Sequence, residues 1–209
     1  MSKRRRMSLS RRHLLAAGPS LAILSVGQAG MAPQTKPRAR VSTGLGDFVA
    51  EVDPVHAPLS SANFLAYVGR GLLDGQSVYR IVSLANQPNT VKFKIEVIQF
   101  GWRGKEGDPP PLPVIAHEPT SVSGLRHRDG TLSMARLAPG TAGPAFFICV
   151  GDQPALDFGG GRNPDGQGFA AFGQVVEGMD VVRGIFAKAE ASDQMKAPVT
   201  IGKAVLVAG

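Results

Sequence analysis

Cysteine is almost missing from this chain. Cys149 is the single thiol in 209 residues, so no intramolecular disulfide can form. An oxidising compartment is therefore permitted without being required. Cys149 sits in the apolar run Phe146-Phe147-Ile148-Cys149-Val150, which points to a buried structural thiol. Acidic residues are absent from positions 1 to 29, where Lys3, Arg4, Arg5, Arg6, Arg11 and Arg12 stand unopposed. The formal charge of +7 thus belongs to one end, since the rest holds 17 bases against 16 acids. That balance removes the compositional case for a nucleic-acid partner. Long hydrophobic runs are lacking too. The apolar stretch from Leu14 to about Val26 is broken by Gly18 and Pro19 and falls short of the ~20 residues that span a bilayer. No internal repeat, heptad or low-complexity tract is present.

Several signatures of common chemistry are also incomplete. His13, His56, His117 and His127 have no metal-ligand spacing, so no metal or other cofactor is expected. There is no Gly-x-Ser-x-Gly elbow to activate a serine. The loop Gly159-Gly160-Gly161-Arg162-Asn163-Pro164-Asp165-Gly166 lacks both the P-loop lysine and the dinucleotide glycine spacing, and reads as a tight turn. Its neighbours Asp157, Asn163 and Asp165 do not follow calcium-loop spacing. His127-Arg128-Asp129 followed by Asp157-Phe158-Gly159 imitates a protein-kinase pair. No glycine-rich phosphate loop or partner lysine precedes them, and no Asn follows at the catalytic-loop distance.

What is present begins with a leader: a basic start, an apolar run, and small Gly27 and Ala29 where a signal peptidase cuts. Residues 1 to 29 are expected to be a signal peptide cleaved after Ala29. Within it, Ser10-Arg11-Arg12-His13-Leu14-Leu15 resembles a twin-arginine export signal, with Leu14 in place of the usual Phe. A periplasmic location follows as the expectation, with no stable membrane insertion after cleavage. Residues 30 to 38, with two prolines and no apolar periodicity, read as a flexible linker. Residues 39 to 209 form the folded domain.

In that domain, short β-type segments fall at about 40 to 44, 47 to 52, 77 to 82, 91 to 100, 131 to 136, 146 to 150, 170 to 176 and 199 to 207. Connections rich in Gly, Pro, Asn and Asp favour antiparallel pairing. One helix opens at Pro58 and ends before Gly69, placing Leu59, Ala62 and Leu65 on an apolar side joined by Phe64 and Val68. A second follows Glu177-Gly178 and spaces Met179, Val182 and Ile185-Phe186 helically. The predicted fold is mainly β: a closed eight-stranded antiparallel barrel capped by two helices.

Ordered motifs run through the whole domain. Ala62-Asn63-Phe64-Leu65, Gly71, Asp74-Gly75 and Val78-Tyr79-Arg80-Ile81-Val82 come first, then Val97-Ile98-Gln99. Gly130-Thr131-Leu132-Ser133-Met134-Ala135-Arg136 and Phe146-Phe147-Ile148 follow. Leu156-Asp157, Asn163-Pro164-Asp165-Gly166-Gln167-Gly168 and Phe172 to Val182 complete the series. In order and spacing they resemble the cyclophilins, and the last ones their bacterial branch, from about residue 40 to 207.

The resemblance implies a non-covalent peptidyl-prolyl cis/trans isomerase. Its partners would be proline-containing segments of exported proteins, and a monomer is expected. It assigns catalysis to Arg80 and Gln99. Tyr79, Val97, Ala135, Arg136, Phe147, Leu156 and Phe169 would contact substrate, Phe147 and Leu156 lining the proline pocket and Ala135 and Arg136 offering backbone groups. Arginine suits the chemistry: its guanidinium stays charged, presents fixed donors and does not attack. Some positions depart from the family pattern. Tyr79 replaces a common His, Glu96 an aromatic, Phe100 a Gly, Ala145 a Gln that bonds substrate, Ala155 a bulky ring, and Phe169 a His or Tyr. Ser83 to Phe93 is longer than in compact relatives. The same fold with weak catalysis would be a proline-peptide-binding or chaperone module.

Overall fold

The computed structural model describes residues 35 to 105 and 108 to 208. The leader and residues 30 to 34 of the expected linker lie outside them, and Arg38, the last of the expected linker, already opens the first strand. Eight strands form the body: β1 (Arg38–Thr43), β2 (Gly46–Val52), β3 (Ser77–Val82), β4 (Val97–Gly101), β5 (Thr131–Met134), β6 (Ala145–Cys149), β7 (Ala170–Glu177) and β8 (Gln194–Val207). They close in the order β1-β2-β7-β5-β6-β4-β3-β8, with every pair antiparallel. Closure leaves no unpaired edge.

The sequence expectation of the strand count and closure holds, and the differences are local. The predicted strand over 91 to 100 is shorter. Residues 91 to 96 form turns and irregular backbone, and pairing starts at Val97. Gln87 explains this, because its amide donates to the carbonyls of Ser83 and Ile95 and its oxygen accepts from the Ile95 N–H. A side chain thereby takes the place of a strand partner. β8 begins five residues earlier than the predicted Val199.

Among the described residues, three helices accompany the barrel: α1 (Pro58–Gly69), α2 (Thr120–Ser123) and α3 (Met179–Phe186). The single turn α2 was not anticipated, being too short to show periodicity. In α1 the buried side is Phe64, Tyr67 and Val68 together with Ser60, Ser61 and Asn63, whereas Leu59 and Ala62 are exposed. Glu118 sets this orientation. Its carboxylate accepts from the Leu59 and Ser60 N–H groups at 2.9 and 2.7 Å and from the Ser60 hydroxyl at 2.7 Å. A negative charge there satisfies orphan donors at the helix start. α3 buries Val182 and Ile185 as its spacing predicts.

Inside the barrel, aromatic rings dominate. Phe146 meets Phe64 edge-on at 5.1 Å and Tyr67 at 5.7 Å, and Phe48 meets Phe100 at 6.3 Å. Phe100 is fully buried in this core. The glycine that the strand needs comes one residue later, at Gly101. Its φ of +142° and the Pro144 carbonyl, 2.1 Å from where a Cβ would stand, exclude any other residue.

Candidate active site

A second apolar cluster lies apart from the barrel core. Val82, Ile95, Val97, Phe147, Cys149 and Leu156 are buried in it, with Ala135, Ala155 and Phe169 packed against them. Alternation along β6 explains the separation: Phe146 points into the barrel and Phe147 out of it.

The register then lines up the polar groups. Arg80 pairs with Gln99, Gln99 with Phe147, and Phe147 with Ser133, so four strands present one row on one face. Arg80 reaches this face through a β-bulge. Tyr79 has no partner in either neighbouring strand, and the register shifts between Val78 and Arg80. Val78 and Ile81 both fill the barrel, while Tyr79 and Arg80 between them both reach Gln99.

Arg80 is held from two sides. Its Nε and Nη2 donate to Asp193 Oδ2 at 2.8 and 2.7 Å, and its Nη1 donates to Gln99 Oε1 at 3.1 Å. With Nε–H committed and one N–H used on each terminal nitrogen, two N–H groups remain for a ligand. The side chain keeps 31% of its exposure. Gln99 in turn donates through Nε2 to the Tyr79 hydroxyl at 2.9 Å. Burial pushes the Tyr79 phenol pKa up, which the Gln99 bond and the charges of Arg103 and Arg80 only partly offset. Tyr79 therefore stays a neutral phenol, stacked under the Arg103 guanidinium at 4.6 Å.

Beside Arg80, a groove of about 250 Å³ is lined by Gln99, Ala135, Arg136, Leu137, Thr141, Pro144 and Ala145. Ala145 itself contributes no side-chain donor to this wall. Phe147 and Phe169 meet at 5.5 Å and 88°, forming an aromatic corner, and Val97 and Leu156 are buried behind it. Across from them, Arg162 donates from its backbone to Ala155 and from Nη1 to Gln87 and to the Phe93 carbonyl, both at 3.0 Å. The long Ser83 to Phe93 segment is thereby tied to the glycine turn, which closes through Gly159 N–H to the Gly166 carbonyl at 2.9 Å.

Ala135 and Arg136 border this groove in different ways. The Ala135 N–H is bonded within the fold, to the Ala145 carbonyl at 2.9 Å. Arg136 turns its side chain inward: Nη1 and Nη2 bind the two Asp165 oxygens at 2.7 and 3.0 Å, and Nε binds the Gly168 carbonyl at 2.9 Å. This pairing holds the Asp165 carboxyl at about 2. The guanidinium also stacks 5.2 Å from the Phe169 ring and so braces the aromatic corner. Cys149 is fully buried, and burial pushes its thiol pKa far up, as an inert structural thiol requires.

Sequence reasoning missed Asp193, 113 residues from Arg80 along the chain, and set aside His127 and Asp157. No local pattern marks Asp193, and only the barrel's closure brings it to β3.

Comparison with known proteins gives a consistent result. The family model for cyclophilin type peptidyl-prolyl cis-trans isomerase/CLD matches residues 38 to 206. The chain is 35% identical over 146 residues to peptidyl-prolyl cis-trans isomerase cyp18 of Streptomyces antibioticus, covering 69% of this chain and 80% of that one. It is 30% identical over 173 residues to peptidyl-prolyl cis-trans isomerase A of Dickeya dadantii, covering 81% and 82%. A solved cyclophilin type isomerase from Cryptosporidium parvum superposes with a TM-score of 0.64 at 22% identity, over 83% of this chain and 99% of its own, which establishes the likeness of fold.

Proposed function

The chain belongs to the cyclophilin-type peptidyl-prolyl cis-trans isomerases, an enzyme family, and on that premise we propose that it turns Xaa-Pro bonds in exported proteins, with Arg80 as the catalytic group. The observation that carries the role of Arg80 is its double anchor on Asp193 and Gln99 beside the Phe147–Phe169 corner.

Rotation of a peptide bond is opposed by about 18 to 20 kcal/mol of resonance. No bond to the enzyme has to form. The proline ring seats against Phe147 and Phe169, and the groove beside Arg80 holds the preceding residues. As the amide twists, its nitrogen regains a lone pair and its carbonyl loses conjugation. The outward N–H groups of Arg80, already fixed in place, donate to that changing amide and favour the twisted state over the planar one. Gln99, kept in orientation by Tyr79, steadies the guanidinium and borders the substrate backbone.

Export rests on the leader's composition, and it is tested by locating the protein in cell fractions and reading the mature N-terminus, expected at Gly30. For the site, the purified protein accelerates isomerisation of a proline peptide, and Arg80→Ala loses about 100- to 1000-fold in kcat, the usual cost of one preorganised donor. Equal rates for the two proteins reject the assignment of Arg80. Ala145 favours one second reading, a proline-peptide-binding module of the same fold. It is selected if the peptide binds without any gain in rate.

A further inference from the structure

The two triplets that imitate a kinase pair in the sequence meet in space, behind the prolyl site. His127 precedes β5, with its side chain fully enclosed, and Asp157 follows the short 3-10 turn Pro154–Leu156. Asp157 Oδ1 accepts from the His127 backbone N–H at 3.1 Å and lies 2.8 Å from its Nδ1. Across the ring, Nε2 lies 2.9 Å from Ser133 Oγ. An ionised carboxylate can only accept, so Nδ1 carries the proton; in the neutral ring Nε2 then accepts from the Ser133 hydroxyl. One tautomer satisfies every group. Burial pushes the imidazole pKa down, and Asp157 only partly offsets this, so the ring is neutral.

The face of this ring lies against Phe147, with centroids 6.0 Å apart and planes 15° from parallel. An imidazole bonded at both nitrogens cannot rotate, and the surface it offers is therefore fixed. Phe147 is thus set between His127 and the edge-on ring of Phe169. The charged and titratable groups about His127 are Asp157, Arg126 at 3.5 Å from Asp157, the buried Cys149 thiol, and Arg128 and Asp152 along the cavity outside. The isomerisation uses none of them.

We propose that His127 is a positioning residue for the isomerase site: Asp157 and Ser133 lock its ring as the platform that orients Phe147 for the proline. This rests on the isomerase reading, in which Phe147 walls the proline pocket. Phe146, one residue away and inside the barrel, is a built-in control.

The test compares the whole protein with His127→Asn, which keeps an amide donor toward Asp157 but removes the stacked ring, and with Ser133→Ala, which removes only the hydroxyl. Isomerisation kinetics are measured alongside NMR of 13C-labelled phenylalanine rings. In His127→Asn, KM rises about tenfold while kcat stays within about threefold, the signature of lost pocket fit. The Phe147 ring signal shifts or broadens and that of Phe146 does not. Ser133→Ala moves the same quantities the same way by a smaller factor. A folded His127→Asn protein with wild-type KM and an unmoved Phe147 signal overturns the proposal, as does an equal disturbance of Phe146. Should His127→Asn not fold, an unchanged Ser133→Ala overturns it. A wild-type protein that neither binds nor turns over the peptide overturns the isomerase reading as well.

Discussion

Two rows of side chains cross the same four strands, one residue apart on three of them and two apart at the Tyr79 bulge of β3, and face opposite worlds. Val78, Phe100, Phe146 and Met134 stand in register and are almost wholly buried inside the barrel. Arg80, Gln99, Phe147 and Ser133 stand in register on the outside and combine a charge, an amide, a ring and a hydroxyl. The inner row is held by packing alone, which is non-directional and forgiving of kind. The outer row is held by directed bonds from loops: Asp193 on Arg80, and His127 on Ser133. A barrel core thus supplies a rigid wall, while distant loops decide what that wall can do.

The contrast can be broken first at the rings. Phe146→Ala should cost about 3 to 5 kcal/mol of stability by opening a cavity in the core, read from urea unfolding. Phe147→Ala should cost less stability and mainly raise KM, because its loss opens toward the cleft. If both lower stability equally, the outer cluster is part of the same core.

Arg80→Ala sharpens the comparison from the other side. Its activation barrier should rise by about 2.7 to 4 kcal/mol. Thermal stability should hardly move, since the Asp193 pair is about one-third exposed and surface pairs contribute little.

Acid should act on the outer region before the inner one. His127 is neutral in the fold with its pKa lowered, so the unfolded chain binds a proton that the folded one refuses. Stability is then lost as pH falls below about 6.5, the unfolded histidine value. Asp157 and Asp53 act in the same direction at lower pH. Burial raises the Asp53 pKa, but bonds from Lys36 and His56 outweigh it and hold the group at about 2, so its contribution is present above about 4 and fades as pH falls toward 2. Thermal melts from pH 7 to 3 should show the first loss flattened in His127→Asn.

The smallest effect belongs to a pair that joins neither row. Arg128 and Asp152, 3.5 Å apart and mostly exposed, should be separable by Arg128→Ala for less than about 1 kcal/mol in the same unfolding assay.

Much of this was legible in the sequence. Strand alternation and turn residues located eight strands, and the ordered motifs pointed to Arg80, Gln99 and Phe147. The misreadings each trace to a single side chain. Gln87 substitutes for a strand partner where an extended run was expected, and Glu118 turns α1 so that serines face inward and Leu59 faces out. Arg136 was expected to offer backbone groups, and nothing near it in sequence shows that Asp165, 29 residues on, holds its side chain.

By itself, the sequence determined the strands and turns of the barrel, because side-chain period and turn chemistry act between near neighbours, and its ordered motifs carried the resemblance to the family. Only the tertiary structure decided that Arg80 faces outward. Strict alternation would send it into the barrel with Val78, and the bulge at Tyr79 reverses this. A bulge depends on how β3 registers against β4 and β8, and the grip of Asp193 depends on closure of the ring. Both are non-local, so no window of residues contains them.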